Sequence, residues 1–285
     1  MMNEPLNVVR QFDAAHITTL LLDADDNLFP SEAPAFDASA EVTNRFLARF
    51  GVTAPFTAEE LRKQAVGKNF RSTAIDLALR CGVPMEQTMA DGRPAAVVAS
   101  DADVAHGRAL SADELEQWVR QERERVTAHL AATLKPDPEV LAPLQALASR
   151  YALAAVSSSA SARLKACFTA TGLDPLIGVD LRFSAEDSLP VPTSKPDPAV
   201  YLHAGQVMQI EGHQGLAVED SVPGVKSAVA AGYLTVGNVM FVPDGERACR
   251  TAELIDAGAA AITDSWRALA DALMLSAVSG GGSTV

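Results

Sequence analysis

One stretch constrains this chain more than any other: Leu20-Leu21-Leu22-Asp23-Ala24-Asp25-Asp26-Asn27-Leu28, where an apolar run stops at three acids within four residues. The run has the length and composition of a strand buried on both faces. Unpaired carboxylates are too costly to bury, so such a cluster at a strand's end requires a cation or bound ligand beside it. In an open parallel sheet, the carboxyl ends of the strands are also where ligands bind. The working claim is that Asp23 is a nucleophile and Asp25 its acid/base partner. The rest of the chain must then supply what such a pair needs.

The chain is long enough to do so. Its 285 residues, 48% of them apolar, suit one large domain or two smaller ones. No run of 18 apolar residues occurs, so no membrane association is expected. The first ten residues lack the charged-then-apolar pattern of an export signal, and Cys81, Cys167 and Cys249 show no CxxC spacing. Both features fit a cytoplasmic protein with idle thiols. A formal charge of −13 argues against a nucleic-acid partner, which calls for a basic footprint. It also opposes long-range steering of anions, so affinity for phosphate must come from local groups.

Hydrophobic periodicity divides the chain. Residues 17–22 read as the first strand. From Phe36 the period becomes helical: Phe36, Ala40, Thr43, Phe46, Leu47 and Phe50 share one face, and Gly51 stops it. Thr57 with Glu60, and Ser111 with Glu114, are capping boxes opening further helices. Another helix is expected over 69–80, and mainly loop over 91–109. From Tyr151 the rhythm is strand then helix, with strands at 153–156, 181–184, 216–218, 235–239 and 259–263. That alternation predicts an α/β fold: a Rossmann-like parallel sheet core with helices on both faces, plus an inserted α-helical cap domain. The expected boundaries are 1–32 for the first part of the core, 33–133 for the cap, 134–275 for the rest of the core, and 276–285 for a disordered Gly/Ser tail.

Four chemistry-bearing groups each follow an expected strand. They are Asp23-Ala24-Asp25, Ser157-Ser158-Ser159, Lys195 within Thr193-Ser194-Lys195-Pro196-Asp197-Pro198, and Glu219-Asp220 before a helix start. Taken singly, serines and acids after strands are ordinary helix caps. Together they are more specific. Carboxylates at two strand ends suit Mg²⁺, a hard cation that prefers oxygen ligands alongside a substrate phosphate. A lysine and hydroxyl groups offset the charge of that phosphate, so phosphoryl transfer to a carboxylate has all its parts.

These motifs, with Val218-Glu219-Asp220-Ser221-Val222-Pro223-Gly224-Val225 as the most specific string, resemble the haloacid dehalogenase-like hydrolase superfamily. The branch resembled carries a helical cap after the first strand and includes phosphatases and β-phosphoglucomutase-type enzymes. The resemblance implies that Asp23 attacks phosphorus and binds Mg²⁺. Asp25 would protonate the leaving oxygen, then activate water, and lend its backbone carbonyl to the metal. Ser157 and the N–H of Ser158 would hold phosphate oxygens, Lys195 would bridge Asp23 and phosphate, and Glu219 and Asp220 would anchor the metal. The chain departs from the family at Asp26-Asn27, where Gly-Thr, Gly-Val or Asp-Thr is usual, and at Pro30, where Asp is frequent.

In the cap, Lys68 and Arg71 stand where related caps contact substrate, and could read a polar or anionic leaving group. Nearby Arg62 and Lys63 suit a solvated helix face equally well. The five histidines show no metal-ligand spacing. The expected function is therefore a Mg²⁺-dependent phosphatase acting on a small phosphate ester such as a sugar or sugar-acid phosphate, as a monomer or small homo-oligomer. A β-phosphoglucomutase-type mutase needs the same core residues. Mutase caps place arginine in Gly-x-x-Arg, one position before Arg71, which favours hydrolysis. A non-catalytic metabolite-binding protein would normally have lost a reacting group, and none is missing.

Overall fold

The apolar half of the opening stretch forms an inner strand of a seven-stranded sheet. The structure, a computed structural model, describes residues 6–10, 14–65 and 69–279, with side chains as far as Leu275. In chain order the core opens with β1 (Asn7–Val8) and β2 (Thr19–Leu22). The chain then runs through α1 (Glu32–Arg49), α2 (Ala58–Gln64), α3 (Phe70–Arg80), β3 (Pro84–Met85), α4 (Gln87–Ala90), β4 (Val97–Val98), α5 (Asp101–Ala105) and α6 (Ala112–Thr133). After α7 (Pro138–Ala148) strands and helices alternate: β5 (Ala152–Ser157), α8 (Ser161–Thr171), β6 (Arg182–Ser184), α9 (Ala199–Met208) and β7 (Gly215–Glu219). The alternation continues through α10 (Val222–Ala230), β8 (Leu234–Asn238), α11 (Asp244–Asp256), β9 (Ala261–Thr263) and α12 (Trp266–Ser279).

Two compact units result, Met1–Ser31 with Leu134–Val285, and Glu32–Thr133. In the first, the strand order is β1-β9-β8-β7-β2-β5-β6, parallel throughout except for β1, which runs antiparallel to β9. β2 pairs with β5 on one side and β7 on the other, placing Leu22 beside Ala155 and Val218. One step further along, Asp23, Val156 and Glu219 therefore emerge at the same level. Leu21, Ala154 and Ala217 pack under Val200, Tyr201 and Ala204 of α9 and Ala228 of α10. Strand alternation turns Leu20, Leu22, Ala155, Leu216 and Val218 to the opposite face, where their complete burial shows a second covering layer. This is an α/β, Rossmann-like core.

The second unit is helical. Its core gathers Val42, Phe46 and Leu47 of α1, Leu61 of α2, Leu77 of α3, and Leu115 and Trp118 of α6. Phe46 meets Trp118 edge-on at 5.8 Å. The box at Thr57 forms in both directions, with Glu60 N–H donating to Thr57 Oγ1 at 3.2 Å and Thr57 N–H to Glu60 Oε2 at 2.9 Å. Ser111 Oγ accepts from the Glu114 N–H at 3.1 Å and opens α6.

The segment 91–109 is mainly loop, as expected, with β4 and α5 inside it, which at two and five residues are too short for periodicity to register. One boundary needs correction. The stretch expected as a tail from Ser276 is helical through Ser279, because Ser276-Ala277-Val278 continues the small and apolar composition of α12 and the glycines begin only at Gly280. The rest of that tail, 280–285, lies outside the described residues. Among the described residues no helix is long and apolar enough to cross a membrane.

Candidate active site

Asp23 continues the pairing of β2 by one residue, its N–H donating to the Val218 carbonyl at 3.0 Å. That step brings its carboxylate level with Glu219, the last residue of β7. Lys195 enters from the loop between β6 and α9. Its ammonium donates to Asp23 Oδ1, to Glu219 Oε1 at 2.6 Å and to the Val156 carbonyl at 2.7 Å. Three acceptors use all three protons, leaving the group no freedom to rotate. Tyr201, on the first turn of α9, donates its hydroxyl to the same Glu219 oxygen and lays its ring 5.3 Å from the ammonium.

The charges here do not cancel. Oxygens of Asp23, Glu219 and Asp220 all lie within 4.8 Å of one another, against the single positive charge of Lys195. Burial, reinforced by Glu219 and Asp25 and opposed by Lys195, pushes Asp23 up to about 8. Burial likewise raises Asp220, helped by Asp23 and Glu219, and raises Glu219 against the pull of Lys195. Burial alone would lower Lys195, but Asp23 and Glu219 hold it above its ordinary value. Glu219 Oε2 is buried without a hydrogen-bond partner. It lies in a cradle left by Gly224, where a Cβ would stand 1.7 Å from it. Surplus negative charge and an all-oxygen donor set fit a hard divalent cation such as Mg²⁺.

Asp25 lies in different surroundings. Its Oδ1 accepts from Ser31 Oγ at 2.6 Å and Arg163 Nη2 at 2.9 Å; its Oδ2 accepts from Ser159 Oγ at 2.6 Å and Ser157 Oγ at 3.5 Å. Burial pushes this carboxyl up, but the Arg163 guanidinium and the hydroxyls of Ser159 and Ser31 outweigh it and hold Asp25 below the usual carboxylate range. The turn between the two halves explains the unusual Asp26-Asn27. Asp26 sits at φ 50°, where glycine is at ease, and its carboxylate accepts from the Ser31 N–H at 2.8 Å. Asn27 is fully buried and donates to the Asp23 carbonyl at 2.8 Å and the Val218 carbonyl at 3.1 Å. It accepts in turn from Asn238 Nδ2 at 2.8 Å, and Trp266 Nε1 reaches its carbonyl at 2.9 Å. A threonine or valine could not make that set of bonds.

The core thus gathers Asp23, Asp25, Ser157, Ser158, Lys195, Glu219 and Asp220. Ser158 is exposed and accepts from the Lys195 N–H at 3.1 Å, so it fixes the lysine backbone. The Asp25 carboxylate is not in the three-acid cluster; the expectation for that residue rests on its backbone carbonyl. In the helical unit Arg71 forms a two-pronged pair with Glu116 on α6, which engages its guanidinium. Arg62 and Lys63 both pair with Glu59, as a solvated helix face does. Lys68 lies outside the described residues. Sequence reasoning missed Ser31, Arg163 and Tyr201, and named Ser159 within the serine run without giving it a role. Ser159 closes the quoted serine run and Arg163 follows four residues later, the only advance signals these residues carried.

A sequence model described as haloacid dehalogenase-like hydrolase matches residues 17–232, and the chain belongs to that family. A search of curated protein sequences gives no match. Among solved structures, a predicted phosphoglycolate phosphatase from Haemophilus somnus 129pt superposes with TM-score 0.63 at 19% identity, over 90% of this chain and 98% of the other. A Thermotoga maritima protein provisionally assigned as a β-phosphoglucomutase gives 0.61 at 21%, over 91% and 99%. A family hydrolase from Deinococcus radiodurans R1, solved with bound phosphate and sodium, gives 0.60 at 22%, over 92% and 97%. At these identities the likeness is one of fold.

Proposed function

We propose that this protein is a phosphatase that hydrolyses a small phosphate monoester, such as a sugar or sugar-acid phosphate, through an aspartyl-phosphate on Asp23. The observation that carries the reading is the buried Lys195 bridge between Asp23 and Glu219, beside a second carboxylate, Asp25, held by separate donors. Phosphate bound in the Deinococcus neighbour supports the substrate class.

An Asp23 oxygen attacks phosphorus as the bond to the ester oxygen breaks, and the Asp25 carboxyl gives its proton to the departing alkoxide. Asp25 is ionised at rest, and a phosphoryl group brought beside it adds negative charge that favours its protonation. In the second half Asp25 takes a proton from water, whose oxygen bonds to phosphorus while the Asp23–phosphorus bond breaks. Lys195 keeps Asp23 aligned and offsets phosphoryl charge, and Ser157 with the neighbouring N–H groups receives the phosphoryl oxygens. Asp23, Glu219, Asp220 and the Asp25 carbonyl would hold Mg²⁺, which when bound neutralises phosphoryl charge and favours ionised Asp23.

Phosphate release from a panel of phosphate esters with Mg²⁺ tests the reading, with Asp23→Asn alongside. The variant is expected to lose activity by on the order of 10³-fold or more, as removal of a nucleophile does. Undiminished turnover by Asp23→Asn removes the nucleophile assignment. Isomerised sugar phosphate without released phosphate points to the mutase, and no turnover across the panel to the binding reading.

A further inference from the structure

We propose that Arg163 is a positioning residue, one that orients the Asp25 carboxylate for proton transfer to the leaving oxygen. The inference rests on the phosphatase reading above and extends it to a residue that the phosphoryl chemistry itself does not use.

Three observations carry it. Arg163 Nη2 donates to Asp25 Oδ1 at 2.9 Å, with both side chains about three-quarters buried, at 26% and 28% exposure. This is a partly dehydrated, charge-assisted hydrogen bond rather than a surface ion pair. The donors also converge from two sides. Ser31 and Arg163 hold one oxygen while Ser159 and Ser157 hold the other, so the plane of the carboxylate is set as well as its place. Finally, Arg163 sits in the first turn of α8, directly after the loop that carries Ser157 and Ser159. The segment that would receive phosphate thereby also orients the acid/base group. Water entering in place of a lost hydroxyl or guanidinium would be less firmly held, and the guanidinium is also the one charged donor of the set.

A residue that acts through a general acid matters most where the leaving group needs a proton. Glycerol 2-phosphate expels an alkoxide that must be protonated, whereas p-nitrophenyl phosphate expels a stable phenolate unaided. The quantity to compare is kcat/KM, which stops at loss of the first product and is blind to later hydrolysis of the aspartyl-phosphate. Arg163→Ala is expected to lower kcat/KM on glycerol 2-phosphate at least tenfold more than on p-nitrophenyl phosphate. Arg163→Lys, which keeps charge without the fork, is expected to recover part of that difference. Ser159→Ala, which removes another donor from Asp25, should show the same selective loss and carries the test should Arg163→Ala fail to fold. Equal losses on the two esters, or none, overturn the positioning role and leave the phosphatase reading standing. Wild-type enzyme that turns over neither ester removes both.

Discussion

Asp23 and Asp25 are two residues apart on the same loop, yet their surroundings have opposite consequences. Asp23 shares one ammonium with Glu219 and lies close to Asp220, so it carries a surplus of negative charge and is pushed up to about 8. Asp25, about three-quarters buried, faces a guanidinium and hydroxyls and is held below its ordinary range. Burial pushes both carboxyls up, so the donor set decides the direction. One environment is short of positive charge and calls for a cation; the other is already satisfied by the protein. On the proposed phosphatase reading, that contrast separates a nucleophile that would share a metal from an acid/base group that would work beside it.

The largest effect is expected from Lys195→Met. It leaves Asp23 and Glu219 buried without their common partner, and breaking such a pair costs about 3–5 kcal/mol. Chemical denaturation should show the loss, and phosphate release should fall with it. A loss below about 1 kcal/mol would mean that the Asp23 side carries no uncompensated charge, and the contrast would collapse.

Next in size is Gly224→Ala. The added Cβ would meet Glu219 Oε2 at 1.7 Å, and Gly224 is itself buried on α10, so Glu219 must turn away. Displacing a group of the metal shell typically weakens affinity about 10–100-fold. Half-saturation by Mg²⁺ should rise accordingly, while the selectivity between alkyl and nitrophenyl esters, a property of the Asp25 side, stays as it was.

A third effect concerns pH. Asp23 titrates near 8 in the folded, cation-free chain against an ordinary value of 3.8. Between those values the folded state holds a proton that the unfolded state has released, so this group's contribution to stability falls as pH rises. Asp25 acts oppositely: its lowered value contributes stability that is present above its ordinary pKa and lost as pH falls below it. The melting temperature of chelator-treated protein should therefore decline from about pH 5 to 8, and Mg²⁺, which favours the ionised acids, should flatten that decline. A decline unchanged by Mg²⁺ would separate the three-acid cluster from metal binding.

Most partners of Asp23 were readable in advance, whereas Asp25 was readable itself but the way its donors meet it was not, for a physical reason. Asp23, Glu219 and Asp220 lie at or just beyond strand ends, and a parallel sheet brings those ends to one edge whatever the details of packing. Lys195, in the loop between β6 and α9, was readable from the proline-flanked motif that carries it. Tyr201 escaped notice because an aromatic one turn into a helix looks like core, which it also is. Ser31, Ser159 and Arg163 meet Asp25 through side-chain bonds whose partners depend on loop geometry and on how α8 is rotated. No periodicity encodes either. The same division holds elsewhere: capping at Thr57 and the left-handed Gly51 just past α1 are local and legible, whereas β1 is two exposed residues whose pairing with β9 depends on a distant strand.

The smallest effect is expected at the hinge between the two environments. Asp26 occupies a left-handed conformation that costs a non-glycine residue roughly 1–2 kcal/mol, and its carboxylate offsets part of that by accepting from the Ser31 N–H. Asp26→Gly removes both terms and adds the larger backbone entropy of an unfolded glycine, about 0.5–1 kcal/mol. The contributions oppose one another, so denaturation should find the variant within about 1 kcal/mol of wild type. What remains should fall on one side only. Ser31 loses an anchor for its backbone, and its hydroxyl is one of the donors to Asp25, so a modest loss on alkyl esters is expected with little change on nitrophenyl esters. Asp23 keeps its bonds to Lys195 and Val218, so half-saturation by Mg²⁺ should hold within about twofold. A shift in Mg²⁺ affinity as large as that of Gly224→Ala would show the two carboxylates to be coupled through the turn, not set independently by their donors.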